Sequence, residues 1–493
     1  VILSQTQNKL SISIQVRLCL IIFTIFCFSG CNNDKPLNHA ERIKKAGEIK
    51  IGTLYGQTTY YINADGPAGF EYELMAGFAE YLGVKLNVVP AYHLREIFPR
   101  LQRQEIDFIA AGITVTPERL THFRFAPPYK NISQKLVFKQ GNTRPRTLND
   151  LNGTLVVTQD SSHAEWLTVQ KEAYPDLTWQ ETAEQDPEEL MQAVINEEIA
   201  YTIVDSHHLA VNRRVSPELS IGFTFKDEEQ LAWAFNQSQD DSLYALFIEY
   251  FGMLNQTATL TTLEDKYYGH VDKFNYVDTR KFLQSVEKKL PKYEQWFMQY
   301  AEQYDLDWRL LAAISYQESH WNPRAKSPTG VRGIMMLTQP TAKQVGVTNR
   351  LDAQDNIRGG AKYIASLIKR IPDRITNPDR LWFALASYNI GLGHLEDARV
   401  LTQRDGGDPD KWVDVRERLP WLHKKRYYKT TKYGYARGNE AITYVANIRR
   451  YYDSLVWLAT LEERNNVNDQ AVPEVDEEKQ QTAPVLDSKK AEI

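Results

Sequence analysis

The stretch SYQESHWNPRAKSPTGVRGIMM (Ser315–Met336) places one acid, Glu318, at the end of a predicted helix, ahead of a segment broken by Pro, Ser and Gly. The next acid along the chain is Asp352. A lone carboxyl with a pKa near the working pH can give and take a proton in one reaction. Taken by itself, a helix-end glutamate is by default a solvated charge. Other chemistries find little support. His207, His208 and His320 have no metal-ligand partners at useful spacing, and neither a Gly-x-Ser-x-Gly element nor a phosphate loop occurs. No metal and no cofactor are expected.

The elements that must position such an acid follow from pattern. The chain has 493 residues, 42% apolar and 25% charged, with a net charge of −5. These are globular values for two or three domains, without the basic face of a nucleic-acid binder. The 27 tyrosines and 10 tryptophans suit carbohydrate contact and ordinary cores alike. From Gly47 to about His270 strand and helix patterns alternate. EIKIGTL, VKLNVVPA, IDFIAAGI, GTLVVTQ, AYTIVD and LSIGFTF read as strands, and FEYELMAGFAEYLG as a helix stopped by Gly83. The alternation predicts an α/β fold with mostly parallel sheets. From residue 280 to 460 the periodicity is helical, TRKFLQSVEKKLPKYEQWFMQYAEQY reads as one run, and no strand pattern appears, which predicts an all-α domain.

All three cysteines, Cys19, Cys27 and Cys31, lie near the N-terminus, so the cores use neither disulfides nor thiolate metal sites. The apolar run Leu18–Phe28, preceded by Lys9 and Arg17, has the length of a signal-peptide core and is too short for a membrane span. FSGC resembles the bacterial lipobox, which implies lipidation of Cys31; an ordinary cleaved signal is the alternative. Asn32, where Asp would retain a lipoprotein in the inner membrane, favours the periplasmic face of the outer membrane and its inner leaflet. The expected organisation is a signal peptide over 1–30, a tether over 31–46, an α/β domain over 47–270, an all-α domain over 271–461 and a disordered tail over 462–493.

GFEYELMAGFAEYLGVKLNVVP and AAGITVTPERLTHFRFAPPY resemble the periplasmic solute-binding proteins of the amino-acid (type 3) family, over about Gly47–His270. The resemblance implies a two-lobed domain with a ligand cleft. In it Arg119 would clamp an α-carboxylate, assisted by Thr114, and Asp205 would take the amine. A planar guanidinium suits bidentate recognition of a carboxylate. Ser161 and Ser162 in TQDSSHAEWL would offer a helix N-terminus to an anion, and Tyr60 or Tyr61 would be the stacking aromatic.

ISYQESHWNPRAKSPTGVRGIMMLTQPTA, ASYNIGLGH and NEAITYVANI carry four motifs in order that resemble the Slt-type lytic transglycosylases, whose fold is similar to goose-type lysozyme. The resemblance implies non-hydrolytic cleavage of the MurNAc–GlcNAc β-1,4 bond of peptidoglycan, leaving 1,6-anhydro-MurNAc ends. Glu318 would protonate the leaving sugar and then accept the C6 hydroxyl proton. Ser319 would support it at the helix end. Met335, Met336 and Tyr388 would form an apolar wall that raises its pKa. Tyr388, with Tyr444, would orient it by hydroxyl hydrogen bonds, and Asn389 would meet substrate or backbone. Met336 stands where the family has Gln. The implied partners are peptidoglycan glycan strands and an amino-acid or muropeptide ligand for the first domain. The rivals are a hydrolytic muramidase, with Asp305, Asp352 or Asp355 activating water, and a non-catalytic wall-binding solute receptor.

Overall fold

The computed structural model describes residues 36–63, 66–271, 276–327 and 330–471. Cys31 and the signal segment lie outside them. Residues His39–Ala46, read as tether, form a helix. Asn38 and Glu41 cap it reciprocally, Gly47 closes it in the left-handed conformation, and Ile43 is buried beneath it. His39 Nε2 lies 2.9 Å from Asp107, so the helix is tied to the domain that follows.

That domain has two lobes. The strands among the described residues are β1 (Glu48–Leu54), β2 (Tyr61–Asn63), β3 (Gly66–Ala68), β4 (Lys85–Ala91), β5 (Phe108–Ile109), β6 (Phe123–Phe125), β7 (Lys130–Lys139), β8 (Val156–Thr158), β9 (Gln180–Thr182), β10 (Thr202–Asp205), β11 (Leu219–Leu231) and β12 (Ala234–Asn236). The first lobe holds the sheet β4-β1-β5-β12-β6, in which β1 runs parallel to β4 and β5 while β12 is antiparallel to β5 and β6. The second lobe holds β10-β7-β11, antiparallel throughout, with β8 and β9 a separate parallel pair. The expectation of mostly parallel sheets therefore holds for part of the first lobe and fails in the second. The cause is β7, a strand the pattern reading passed over. Its inward face alternates Ile132, Gln134, Leu136 and Phe138, and the buried Gln134 breaks the apolar signal. Two crossing segments join the lobes, where Ala232 donates to the Ile113 carbonyl and Val115 to that of Gln230.

The helical half packs around Phe297, Leu311, Ile314, Phe383 and Ile448, all fully buried. Pro291 divides the run predicted as one helix into Tyr276–Lys288 and Glu294–Tyr304. The last helix runs Gly438–Ala471, past the point where a disordered tail was expected to begin. Among the described residues, no helix is long and apolar enough to cross a membrane.

The last helix also forms the seam with the α/β domain. Arg449 donates to the Asp265 carboxylate at 2.7 Å, and Arg416 pairs with the same carboxylate. Arg449 also sits 4.0 Å from the centre of the Trp382 ring. Two residues from the α/β domain, Arg214 (2.7 Å) and His270 (2.5 Å), converge on Asp453. Removing one partner from the Arg449–Asp265 pair, buried on both sides, strands a charge, which typically costs about 3–5 kcal/mol.

Candidate active site

Glu318 is the penultimate residue of the helix Trp308–Ser319. Asp307 caps the helix by accepting from the Arg309 N–H, and Leu310 through Tyr316 bury it. The chain reverses directly after Glu318. His320 and Trp321 take positive φ angles of 52° and 56°, uncommon for residues with a Cβ and worth about 1–3 kcal/mol of strain each. Trp321 holds the reversal in place. Its ring is buried under the helix, and its Nε1 donates to the Ala312 carbonyl at 2.9 Å.

The Gly-rich segment is then stitched to the helix. Ser315 and Ser319 both donate to the Ile334 carbonyl, at 3.1 and 2.8 Å. The fully buried Asn356 accepts from the Met335 N–H at 2.7 Å and donates to the Arg350 carbonyl at 3.0 Å. Gly333 has φ 88°, and a Cβ there would lie 1.9 Å from the Arg350 carbonyl oxygen, so no other residue fits.

On this frame the Tyr444 hydroxyl donates to Glu318 Oε1 at 2.6 Å. Burial pushes the Glu318 carboxyl up to about 7, against the lowering effect of that hydrogen bond. Burial, then the nearby Glu318 charge, pushes the Tyr444 hydroxyl well above its ordinary value, so it remains a donor. The roles foreseen for the two tyrosines are thus redistributed. Tyr388 donates to the Met335 carbonyl at 2.9 Å, and its ring stacks on that of Tyr444 at 6.4 Å. Ser319 braces the Ile334 carbonyl. Met335 is a core residue packed against Gly360, and Met336 is half-buried with φ 47°.

Asn389 and Tyr444 line one groove with Gln317, Asn439, Glu440 and Thr443. Of these Gln317, Asn439 and Thr443 escaped the sequence reading, since polar helix-surface residues carry no periodic signal. Glu440 is paired with Arg437 at 3.1 Å. Of the acids weighed as water activators, the carboxylates of Asp352 and Asp355 are otherwise engaged. Asp352 caps the helix Ala353–Arg370, Asp355 accepts from the Thr348 N–H and pairs with Arg358, and Asp305 closes the helix Glu294–Tyr304 in the left-handed conformation.

In the α/β domain Thr114, Arg119, Ser161, Ser162 and Asp205 line the interlobe cleft. Arg119 is already engaged: it donates to the Thr114 and Asp160 carbonyls at 3.0 and 2.8 Å, and its Nε lies 3.0 Å from Glu165. Asp205 lies 3.0 Å from His163 Nε2, a histidine the sequence reading did not single out. Ser161 caps the helix Ser162–Gln170. The aromatics on the cleft wall are Tyr55 and Tyr92, 4.8 Å apart, and not the Tyr60 or Tyr61 anticipated. His207 and His208, which the sequence left without partners, have Asp205 beside them, in an arrangement of donor atoms able to hold a metal ion.

A two-lobed solute-binding-type domain joined to a helical domain that holds Glu318, its pKa raised, against Tyr444 defines the class. Residues 49–270 match the family of bacterial extracellular solute-binding proteins, family 3, and residues 295–410 match the transglycosylase SLT domain. Tyr444 lies beyond the second span, so its place at Glu318 comes from geometry. The chain belongs to the membrane-bound lytic murein transglycosylase F family. It is 53% identical to the protein of that name from Pseudoalteromonas translucida, over 90% of this chain and 94% of that one. The Aliivibrio fischeri relative is 50% identical over 90% of each chain. Among solved structures the chain is similar to a cysteine-binding protein from Campylobacter jejuni, with TM-score 0.44 and 20% identity over 49% of this chain and 98% of that one.

The raised pKa has a consequence for stability. Between the ordinary glutamate value of 4.5 and about 7, the folded chain keeps the Glu318 proton and the unfolded chain loses it. Folding stability therefore falls as pH rises through that window. Glu318→Gln has no proton to lose. Its urea midpoint is expected to match the wild type near pH 4 and to exceed it at pH 8, where the difference in unfolding free energy reaches at most about 3 kcal/mol. Equal midpoints at pH 8 would mean that the carboxyl is not desolvated.

Proposed function

We propose that the chain cleaves the MurNAc–GlcNAc β-1,4 bond of peptidoglycan without water and leaves 1,6-anhydro-MurNAc ends. The observation that carries this reading is the Glu318 carboxyl, whose pKa of about 7 reflects burial opposed by the Tyr444 hydrogen bond. Ordinary glycosidases hold a second carboxyl about 5–9.5 Å from the first, and a charge that close would add its own effect. Here Glu318 gives its proton to the glycosidic oxygen as the bond from C1 to that oxygen breaks. The C6 oxygen of the same MurNAc then bonds to C1, and its proton returns to Glu318. Atoms balance with no water consumed, and the enzyme ends as it began.

Tyr444 positions Glu318 and stabilises it while it is ionised. Tyr388 acts through the Met335 carbonyl, fixing the loop that carries Met336. Gln317, Asn389 and Asn439 offer amide groups for sugar hydroxyls and N-acetyl groups, and Met336 supplies an apolar contact in place of the family's Gln. The two-lobed domain serves as a sensing or docking module for an amino acid or muropeptide at Arg119, Thr114 and Asp205. A ligand carboxylate would have to share Arg119 with Glu165. The two domains span about 47–270 and 271–461.

Like its membrane-bound relatives the chain is membrane-associated and faces the periplasm; we assign the attachment to an acyl group on Cys31 at the outer membrane. Cys31→Ser should move the protein to the soluble periplasmic fraction, and unchanged fractionation would exclude this anchor. The chemistry is tested by digesting purified peptidoglycan in heavy-oxygen water. Unlabelled anhydro ends are expected, with turnover by Glu318→Gln lower by about two to four orders of magnitude. Label in the new MurNAc ends would mean that water attacks.

A further inference from the structure

The second lobe gathers three imidazoles around one carboxylate, and the solute-binding reading uses only the carboxylate. Asp205 ends β10, and the helix Ser206–Asn212 starts directly on it, so His207 and His208 follow within one turn. Asp205, His207 and His208 each offer one donor atom, and the three atoms lie within 4.8 Å of one another. The two imidazole rings are 4.4 Å apart and inclined by 43°. A four-coordinate ion with bonds of about 2.0–2.1 Å holds its donors about 3.3 Å apart, so rotations about the side-chain bonds would close the set.

Two further observations point to a ligand. His207 is 6% exposed, and its Nδ1 is buried without a hydrogen-bond partner. A buried ring nitrogen left unpaired is costly, and such groups are few in native proteins. His163, from the neighbouring helix, places its Nε2 3.0 Å from Asp205 Oδ1. Outer contacts of this kind orient a ligating group and tune its basicity.

We propose that Asp205, His207 and His208 bind one divalent transition-metal ion at the interlobe cleft, with His163 orienting the Asp205 carboxylate. Two imidazoles and a carboxylate suit zinc, cobalt, nickel or copper, whereas magnesium and calcium prefer oxygen donors alone. Three protein ligands leave a coordination position for water or a solute donor. Asp205 and His208 line the cleft, so that position is reached from it. His208 also meets Thr58 Oγ1 of the first lobe at 3.4 Å, a long contact that a metal bond would replace. The ion and an amino-acid ammonium would contend for the same carboxylate, so each should weaken binding of the other.

The test is calorimetric titration of zinc into the untagged, chelator-stripped full chain, with cobalt as a spectroscopic probe. One zinc per chain is expected, and cobalt should give visible absorption bands from its bound ligands. His163→Ala should weaken zinc binding about 10–100-fold, and His208→Ala and Asp205→Asn by more than that. His207 is buried, so His207→Ala would confound loss of a ligand with loss of packing; the partly exposed His208 and the isosteric Asp205→Asn decide the matter, with thermal melts to show that both fold. No stoichiometric binding by the wild type, or binding that survives His208→Ala and Asp205→Asn unchanged, would overturn the proposal.

Discussion

The constraint on which the helical half depends is a carboxyl that must stay protonated near neutral pH while remaining within reach of a substrate. Enclosure raises the pKa of Glu318, and too much of it would seal the acid from the glycan. The structure meets both needs by placing Glu318 at a helix end and turning the chain sharply after it. The strained reversal at His320 and Trp321, the two serine hydroxyls on the Ile334 carbonyl and the Tyr388 bond to Met335 all hold the surrounding loop still. Tyr444 arrives from 126 residues further along the chain to make a hydrogen bond to the carboxyl. It opposes the effect of burial, and so keeps the ionised form accessible for the return of the proton.

The helix that carries Tyr444 is fixed from both sides. On one side it meets Glu318, and toward the α/β domain it contributes Arg449 to a buried ion pair and Asp453 to a half-buried one. Burial of charges is tolerated only when the partners are complete, so these pairs permit few ways of docking the two domains. Asp265 takes two arginines and Asp453 takes an arginine and a histidine, and each cluster draws on both domains. The tyrosine on Glu318 and the residues of the domain seam thereby lie on one helix.

Much of this was legible from residue types and spacing. The lone acid, the late Tyr-Val pair and the boundary between alternating and purely helical pattern follow from periodicity and motif. Pairing partners do not, because they depend on chain direction and on contacts distant in sequence. The antiparallel second lobe turned on β7, whose buried Gln134 hides the apolar alternation. Tyr388 and Tyr444 both read as hydroxyl donors to Glu318, and only the fold separates their targets. The helix His39–Ala46 was recoverable, since Asn38 and Glu41 have the spacing of reciprocal capping residues. Asp205, His207 and His208 are near neighbours in the sequence, but such neighbours bring their side chains together only where the backbone turns, as it does where β10 meets the helix Ser206–Asn212. The braces of the loop, Asn356 and Trp321, carried no signal apart from their later burial.

The central claim is that burial holds one carboxyl near neutral pKa, and a carbon-13 NMR titration of the Glu318 side-chain carboxyl, assigned by its loss in Glu318→Gln, tests it most directly. A midpoint near 7 is expected, rising further in Tyr444→Phe, where the hydrogen bond that lowers it is gone. A midpoint at the ordinary glutamate value of 4.5, or one that Tyr444→Phe leaves in place, would contradict both the enclosure of Glu318 and the role of its tyrosine.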